Sequence, residues 1–435
     1  MPRRPADPDP LVTTEFEAVI TDLAAGGKGV ARLTDGRVVF VAGALTGERV
    51  SARITRAKRD YAEAETLGVL EPSPERVAPA CPLYGDCGGC DLMHLACESQ
   101  VQAKAAWVTR ALRRMDGLPA LALRPSPLAW GYRNRVRLQV DERGRVGFFA
   151  KESHRLVPVA QCPVASPGVN RVLPGLSEVL AGPQWAGRVE WAEVMAGGAD
   201  EPALLCLGWA GDSEPPDPAP ILAATGAAGL RWATDEGLEP WPLRPENGLV
   251  YYQQEGLDLH AFPGLFSQVN WAANQHLVAA VMAAAQGLEP GAALDLYAGG
   301  GNFTLPLLAA GWRVTAVEGQ QEACQAGYLQ ALWAGLADGM RVRAEAAETA
   351  LEALVQADTG FDLVVLDPPR SGAKGLMGLI AGLAPRRVAY VSCHPAALGR
   401  DASALAAAGY RPNQLTVLDL FPHTGHVEAV LVLER

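Results

Sequence analysis

The 435-residue sequence has few cysteines and no long hydrophobic run, and each scarcity excludes a class of protein. Its longest apolar stretch, near residues 277–285, is far shorter than the ~20 apolar residues that a membrane-spanning helix requires. The first ten residues, MPRRPADPDP, lack the apolar core of a secretory signal peptide. Eight cysteines are too few for a disulfide scaffold in a chain of this length. We therefore expect a cytoplasmic protein without a membrane segment, in which clustered cysteines serve metal binding or catalysis.

The net charge of −11 argues against a general nucleic-acid-binding protein, but the charge is unevenly distributed. Residues 1–160 carry 23 Lys and Arg against 19 Asp and Glu, whereas the remainder carries 14 against 29. A surface that binds RNA is therefore expected in the N-terminal part. A solvated surface of mixed charge is the simpler alternative.

Residues 15–70 read as short strands separated by glycines. Apolar residues such as Val50, Ala52 and Ile54 alternate with polar neighbours. This pattern predicts a small OB-like β-barrel within a first domain, residues 1–73, after a Pro- and Asp-rich leader over residues 1–10. Its basic residues either follow an RNA backbone or protect strand edges. They are Lys28, Arg32, Arg37, Arg49, Arg53, Arg56, Lys58 and Arg59.

A second, β-rich domain is predicted over residues 74–264, after a proline-rich linker. It begins with the cysteine motif Cys81-x5-Cys87-x2-Cys90, and Cys162 follows far downstream. Four cysteines suit either a [4Fe-4S] cluster or a structural zinc ion. An amphipathic helix is predicted over about 95–116, and its apolar face could pack on the third domain. Antiparallel strands over 131–160 carry Arg133, Arg135, Arg137 and Arg145.

Strands and helices alternate in the third domain, residues 265–435. The predicted strands are 292–298, 312–318, 340–344, 361–367, 387–392, 414–420 and 427–433. This alternation predicts a doubly wound α/β sheet. The last two strands are joined by only FPHTG, which is too short for a parallel crossover. An antiparallel final strand is typical of the methyltransferase variant of this Rossmann-like fold.

The glycine-rich stretch LDLYAGGGNFTLP, residues 294–306, joins the first of these strands to a helix. Gly299 and Gly301 fit the dinucleotide-binding pattern, but Thr304 stands where its third glycine would be. Glu318 ends the next strand, 19 residues after Gly299, where an acidic residue binds ribose hydroxyls. The stretch therefore favours an adenosine-containing cofactor other than NAD.

Three later motifs place reactive side chains at strand ends. LDPPR presents Asp367, YVSCHP presents Cys393 beside a histidine and a helix N-terminus that favour a thiolate, and FPHTGHVE presents Glu428. A cysteine and a glutamate in one crevice have a specific use. Carbon 5 of uracil attacks a sulfonium methyl group only after a thiolate adds to carbon 6, and a base must then remove the carbon 5 proton. Cys393 and Glu428 could supply both steps.

These motifs, together with FSQVN at 266–270, resemble the RNA uracil-5-methyltransferase family, which uses S-adenosylmethionine. The stretches GGKGVARL and RDYAEAE resemble a TRAM domain, and the cysteines resemble the [4Fe-4S] set of that family. The resemblance implies a Cys393 nucleophile, a Glu428 base and cluster ligands Cys81, Cys87, Cys90 and Cys162. It also implies a cofactor site made by Gln268, Tyr297, Asn302, Glu318 and Asp367.

Members with both a TRAM domain and a cluster mostly modify large-subunit ribosomal RNA, so 23S rRNA is the expected substrate and tRNA the alternative. No obligate protein partner is evident. Two rival functions stay open, an N-methyltransferase and a non-catalytic RNA-binding or redox-sensing protein. The sequence departs from the family at His394, where asparagine is usual, and at Ala346, where some members have asparagine.

Overall fold

The computed structural model describes residues 12–198, 200–211, 213–254 and 257–435, and the leader predicted over residues 1–10 lies outside them. The N-terminal strands form one six-stranded sheet in the order β1-β5-β6-β4-β3-β2. Alternate residues, among them Val39, Val41, Val50 and Ile54, point into a core of its own. This small β-domain agrees with the prediction. Its strands are β1 (Glu15–Val19), β2 (Asp22–Leu23), β3 (Gly29–Arg32), β4 (Val38–Ala42), β5 (Arg49–Ala57) and β6 (Tyr61–Glu71).

The following segment joins the N-terminal sheet to the C-terminal one. Helix α1 (Cys97–Ala111) packs Trp107 and Val108 into the core of the C-terminal sheet. The Trp107 indole nitrogen also donates to the Leu23 carbonyl, 2.8 Å away. Strand β7 (Leu121–Arg124) then pairs in parallel with a strand almost 300 residues later and becomes the edge of the C-terminal sheet. The sequence analysis missed β7, because three half-buried residues followed by an exposed arginine show no alternation.

The central sheet has seven strands in the order β10-β9-β8-β11-β12-β13-β14. Strands β8 to β10 are antiparallel, as predicted for residues 131–160, and only β12 and β13 among these neighbours pair in parallel. Helix α2 (Pro167–Leu180) covers one face, and helix α3 (Ala219–Thr225) packs beside it. The strands are β8 (Arg135–Val140), β9 (Val146–Phe149), β10 (Leu156–Pro158), β11 (Val189–Ala196), β12 (Ala203–Trp209), β13 (Gly229–Thr234) and β14 (Gly237–Leu238).

A two-stranded antiparallel sheet, β15 (Leu249–Gln254) with β16 (Leu257–Ala261), leads into the C-terminal sheet. The order there is β19-β18-β17-β20-β21-β23-β22-β7. Its strands are β17 (Ala292–Leu296), β18 (Arg313–Glu318), β19 (Met340–Ala344), β20 (Leu363–Leu366), β21 (Arg387–Ser392), β22 (Arg411–Leu418) and β23 (Glu428–Glu434). Strands β17 to β21 pair in parallel, and β23 is antiparallel to both of its neighbours. The doubly wound sheet with an antiparallel last strand is therefore confirmed.

Helices cover both faces of this sheet, because its strands are apolar on both sides. Leu277 of α4 and Leu305 of α5 lie in one core, and Leu351 of α7 and Leu398 of α9 lie in the other. The helices are α4 (Trp271–Met282), α5 (Thr304–Ala309), α6 (Gln321–Trp333), α7 (Ala347–Gln356), α8 (Met377–Gly382) and α9 (Pro395–Ala407). Within the described ranges, no helix is both long and apolar enough to span a membrane. The domain boundaries at residues 73 and 264 stay predictions.

Candidate active site

The reactive side chains predicted from the sequence lie at one edge of the C-terminal sheet. Tyr297, Asp367 and Cys393 each follow directly after a parallel strand, β17, β20 and β21 respectively, and Glu318 is the last residue of β18. Glu428 is the first residue of β23, which runs the opposite way, so it also lies at this edge. The crevice at the carboxyl ends of the strands is where ligands bind in sheets of this type.

The glycine loop after β17 is closed by a carboxylate from the next strand. Tyr297, Gly299 and Gly301 all have positive φ, at 62°, 53° and 99°. This backbone ends β17 at Leu296, two residues earlier than predicted. The Gly299 amide donates to the Glu318 Oε2 atom over 2.9 Å, and Glu318 Oε1 accepts from the Gln320 amide over 2.8 Å. Glu318 therefore lies against the loop, at the position where an adenosine ribose is expected.

Gln330 of α6 supports the same loop, and the sequence analysis did not identify it. Its side chain is 2% exposed. The Gln330 Nε2 atom donates to the Gly300 carbonyl over 3.0 Å, while its Oε1 atom accepts from the His260 amide over 2.5 Å. One buried amide thus connects the glycine loop to β16. A single glutamine in a helix gives no sequence signal for such a role.

The structure explains why Thr304 replaces a glycine. Its hydroxyl donates to the Oδ2 atom of Asp295, 2.6 Å away in β17. Asp295 is fully buried, and its Oδ1 atom has no hydrogen-bond partner among the described residues. Burial raises the pKa of Asp295 to about 7. A threonine at this position therefore gives a hydrogen bond to one of the two oxygens of a buried carboxyl group in the strand that leads into the loop.

Helix α4 holds the other side of the loop. The side-chain amides of Asn302 and Asn274 bond reciprocally, at 2.8 and 3.1 Å. Asn270 caps α4 by accepting from the Ala273 amide over 3.0 Å. Gln268 is 8% exposed and lies two residues before this cap. The predicted cofactor residues Gln268 and Asn302 are therefore tied to the start of the same helix.

Two carboxyl groups and a thiol lie close enough in the crevice to influence one another; Glu428 is buried, whereas Asp367 and Cys393 are half-buried. Burial raises the pKa of Asp367 to about 7, and burial together with the charge of Asp367 raises the pKa of Glu428 well above its ordinary value. Glu428 is 4% exposed, and its Oε1 atom lacks a partner within the described residues. Burial raises the pKa of the Cys393 thiol to about 11, with the charges of Glu428 and Asp367 adding to it and Arg370 opposing it.

This environment corrects the expectation that a helix N-terminus favours a Cys393 thiolate. The Nδ1 atom of His394 caps α9 by accepting from the Ala397 amide over 3.2 Å. This backbone amide at the start of the helix is therefore already hydrogen-bonded and does not serve the thiol. The same contact accounts for the departure at His394, since histidine serves here as the N-cap residue that asparagine would otherwise provide. Cys393 is therefore a neutral thiol in the protein without ligands.

The predicted metal ligands also converge, although they come from separate segments. All four line one cavity of about 140 Å³, together with Met93 and Phe148 among others. The loop that carries the first three is fixed to β9, since the Gly88 amide donates to the Phe149 carbonyl over 2.9 Å. Across the described parts of the chain, no set of three His, Cys, Asp or Glu side chains is placed to hold a metal ion. The predicted ligands are Cys81, Cys87, Cys90 and Cys162.

Many of the basic residues on the N-terminal sheet have acidic partners. Arg53 and Glu65 face each other across β5 and β6 and approach to 2.6 Å. Arg49 pairs with both Glu17 and Glu71, at 3.2 and 2.9 Å. These contacts favour the alternative in which basic residues stabilise the strand surface. Among the described residues, Arg56 and Lys58 at the tip of the β5–β6 hairpin have no ion-pair partner.

The sheet order, the glycine loop and its closing carboxylate define a Rossmann-like methyltransferase of the kind that uses S-adenosylmethionine. Comparison with known families refines this class. A family model described as tRNA (Uracil-5-)-methyltransferase matches residues 253–435, and a TRAM domain model matches residues 11–67. The chain belongs to the RNA uracil-5-methyltransferase family.

Full-length relatives and a solved structure agree with this assignment. A 23S rRNA (uracil(1939)-C(5))-methyltransferase of Alkalilimnicola ehrlichii is 40% identical, with 97% of this chain and 96% of the relative covered. The protein of the same name from Salmonella typhi is 36% identical over 96% of this chain and 95% of the relative. The Pyrococcus abyssi tRNA (uracil-54, C5)-methyltransferase, solved with S-adenosyl-L-homocysteine, has the same fold. Its TM-score is 0.74 at 23% identity, with 96% of this chain and 100% of that chain covered.

Proposed function

We propose that this protein methylates carbon 5 of one uridine in 23S rRNA, using S-adenosylmethionine as the methyl donor. The names of the relatives support the substrate, since two of them, covered over nearly their whole length, are 23S rRNA (uracil(1939)-C(5))-methyltransferases. The same chemistry on tRNA is the second candidate, because the family model that matches is described as tRNA (Uracil-5-)-methyltransferase. With ribosomal RNA as its substrate, this protein would act in the cytoplasm.

The observation that carries the proposal is the meeting of Cys393 and Glu428 at one sheet edge. Cys393 first loses its thiol proton to water, and the resulting thiolate adds to carbon 6 of the uracil, which moves an electron pair into the ring and makes carbon 5 nucleophilic. Carbon 5 takes the methyl group and leaves a neutral thioether. Glu428 then removes the carbon 5 proton, the carbon 6–sulfur bond breaks, and the thiolate is regenerated. The buried, unpartnered Glu428 Oε1 atom suits a base that meets its proton only within the complex.

The residues around the glycine loop suit the methyl donor. Gly299 and Gly301 leave the backbone open to a close ligand, and Glu318 lies where its carboxylate would accept hydrogen bonds from ribose hydroxyls. Tyr297 and Asn302 belong to the same loop, Gln268 precedes the helix α4 that holds Asn302, and Asp367 follows β20, which lies between the strand that leads into the loop and the strand that leads to the thiol. We assign these five side chains, Gln268, Tyr297, Asn302, Glu318 and Asp367, to donor binding. The positive sulfonium group would offset the two crowded carboxyl groups of Asp367 and Glu428.

Trapping the covalent adduct tests the reaction. Glu428→Gln should accumulate a protein–RNA adduct that survives denaturing electrophoresis in the presence of S-adenosylmethionine, because carbon 5 keeps its proton and the sulfur cannot leave. Cys393→Ala should form neither adduct nor 5-methyluridine, whereas Cys206→Ala, which changes a thiol in β12 of the central sheet, should behave like the wild type.

Two outcomes would contradict the proposal. An N-methyltransferase would keep its activity in Cys393→Ala, and a non-catalytic RNA-binding or redox-sensing protein would transfer no methyl group in any variant. Mapping of 5-methyluridine in ribosomal RNA and tRNA from a strain without the gene distinguishes the two substrates.

We further propose that Cys81, Cys87, Cys90 and Cys162 hold a [4Fe-4S] cluster. The support is that four free thiols, and no carboxylate or imidazole, line one cavity. Thiolate ligands are what an iron–sulfur cluster requires. Anaerobically purified protein should contain iron and absorb visible light, and Cys90→Ser should lower both while Cys206→Ser should not. Stoichiometric zinc without iron would overturn the assignment.

We also propose that the hairpin tip of the TRAM domain contacts RNA phosphates through Arg56 and Lys58, whose charges have no acidic partner among the described residues. Replacing both with alanine should weaken RNA binding and reduce the slope of log affinity against log salt by about 1 to 2. Arg49→Ala is the control, since Glu17 and Glu71 already neutralise that charge. If the slope of log affinity against log salt is unchanged in the double variant, the hairpin tip is not part of the RNA-binding surface.

A further inference from the structure

The loop of residues 419–427, called here the base loop, joins β22 to β23 and leads directly into Glu428. Its backbone is held by groups from much earlier in the chain. Four consecutive carbonyl oxygens, those of residues 420 to 423, each accept a hydrogen bond from a residue between 91 and 270. The donors in order are Asn270 Nδ2 at 3.0 Å, Lys104 Nζ at 2.9 Å, the Tyr132 hydroxyl at 2.9 Å, and the amides of Asp91 and Leu92 at 3.0 and 2.9 Å.

Lys104 of α1 is the charged member of this set. Its side chain has no exposed surface, and its Nζ atom lies 2.6 Å from Asp419 Oδ1 as well as 2.9 Å from the Phe421 carbonyl. The Asp419 amide in turn donates to the Arg124 carbonyl at the end of β7. Removing two charges from water is costly, and apolar residues of similar size would often stabilise a fold as well. An ion pair in this position is therefore better explained by the specific loop conformation that it holds.

The base loop also contains a strained residue that depends on its surroundings. His423 is 2% exposed and has a φ of 67°, which is uncommon for a side chain of this size. Gln100 of α1 accepts from its amide over 2.6 Å, and Trp130 stacks on its ring at 3.9 Å. A Cβ atom at Gly425 would lie 2.6 Å from the backbone of Gly26, so the N-terminal sheet packs on this loop as well. Such strain persists only where neighbouring groups hold it.

We propose that Lys104 is a positioning residue for proton removal: through Asp419 and the Phe421 carbonyl it fixes the base loop so that Glu428 faces carbon 5 of the bound uracil. The inference rests on the proposed function, because it assigns Glu428 the role of base. Lys104 is not expected to touch RNA or the methyl donor. Its loss should act on one step, the departure of the carbon 5 proton, and leave the earlier sulfur addition and methyl transfer in place.

Lys104→Met tests this inference, since methionine fills similar space without the charge or the donor. The variant should accumulate the methylated protein–RNA adduct that Glu428→Gln accumulates, with kcat lowered about tenfold, which is the loss of one charge-assisted hydrogen bond expressed as a rate. The KM for S-adenosylmethionine should stay within about twofold. Lower activity without any adduct, or an unchanged kcat, would overturn the proposal.

Two further variants separate positioning from folding. Adding Asp419→Asn to Lys104→Met removes the unpaired buried carboxylate and should recover Tm, whereas the adduct should persist because the Phe421 carbonyl still lacks its donor. Recovery of kcat together with Tm would show a merely structural role and overturn the proposal. If Lys104→Met does not fold, Tyr132→Phe replaces it as the test. This variant removes the hydroxyl that donates to the Pro422 carbonyl, and it should accumulate less adduct than Lys104→Met would. A Tyr132→Phe enzyme with no adduct would then contradict the inference.

Arg231→Met is the matched control. Arg231 is 2% exposed and pairs with both carboxylate oxygens of Glu322, at 2.7 and 2.8 Å, far from the base loop in sequence. Its loss should lower Tm without accumulating adduct, and an equal accumulation would show that any loosened fold traps RNA. Failure of the proposed function is recognised separately, because wild-type protein would then form no 5-methyluridine, or Cys393→Ala would keep forming it.

Discussion

Alkylation of the Cys393 thiol should be slow at neutral pH and should accelerate as pH rises toward its pKa of about 11. Three pH units below that value, at pH 8, only about one thiol in a thousand is ionised. A cysteine with the ordinary value of 9.0 would be about one-tenth ionised at the same pH. Because the thiolate is the reactive form, iodoacetamide should modify Cys393 about a hundredfold more slowly than an exposed cysteine.

The neighbours of Cys393 predict the direction in which each substitution changes this rate. Glu428→Gln removes a negative charge that raises the thiol pKa, so alkylation at pH 8 should be faster. Arg370→Ala removes the cation that lowers the thiol pKa, so alkylation should be slower. A fall of one pKa unit corresponds to about a tenfold faster reaction at this pH. S-adenosylmethionine should accelerate alkylation through its positive sulfonium group, and S-adenosylhomocysteine, which lacks that charge, serves as the control.

Mass spectrometry of the tryptic peptide of residues 388–400 measures the rate, because Cys393 is its single cysteine. The reaction is followed from pH 7 to pH 10 for the wild type and both variants. Two results would refute the reasoning: alkylation at pH 7.5 as fast as that of an exposed thiol, or rates in Glu428→Gln and Arg370→Ala that change in the same direction.

Three more predictions follow from buried polar groups. The pKa of Asp295 rises from 3.8 to about 7 on folding, so the folded state binds this proton more tightly and loses stability as pH increases from about 4 to 7. Asp295→Asn should abolish this loss, of which about 3 kcal/mol falls between pH 4.5 and pH 8, the two conditions for urea unfolding; equal effects at both pH values would contradict the assignment. Arg231→Met should lower the free energy of unfolding by about 3 kcal/mol, and Glu322→Gln in the same protein should recover part of it in thermal melts. Gln330→Ala should weaken S-adenosylmethionine binding about tenfold in calorimetry with a smaller effect on kcat, because it frees the Gly300 carbonyl; unchanged binding would exclude this support.

The C-terminal sheet could be predicted because its pattern is local. Apolar strands such as Leu363–Leu366 alternate with helices, and the short FPHTG connection leaves only an antiparallel final strand. Parallel strands end at a common edge, so residues that follow them meet there whatever the details of packing. Cys393 and Asp367 could therefore be placed together from the sequence, and the structure brings them to one crevice. Their roles in catalysis stay predictions.

Contacts between distant segments could not be predicted in the same way. Strand β7 has four residues and no alternation, and only its partner β22 identifies it. The predicted amphipathic helix over about 95–116 gives no sign that Lys104 is fully buried against Asp419. Arg53 suggested a surface for RNA, but Glu65 on the neighbouring strand neutralises it. A contact between side chains on distant segments produces no periodic pattern in the sequence, so it cannot be predicted from such a pattern.

The amino-acid sequence by itself determined the alternation of strands and helices after residue 291, the glycine loop and the set of residues at the carboxyl edge, because each depends on a repeat or motif within a few residues. Only the tertiary structure decided the protonation of that edge and the anchoring of the base loop. Burial and the charges of Asp367 and Glu428 set the pKa of the Cys393 thiol, and groups from residues 91–270 hold the segment that carries Glu428. Both depend on electrostatic and hydrogen-bond contacts that exist only once segments hundreds of residues apart have packed together.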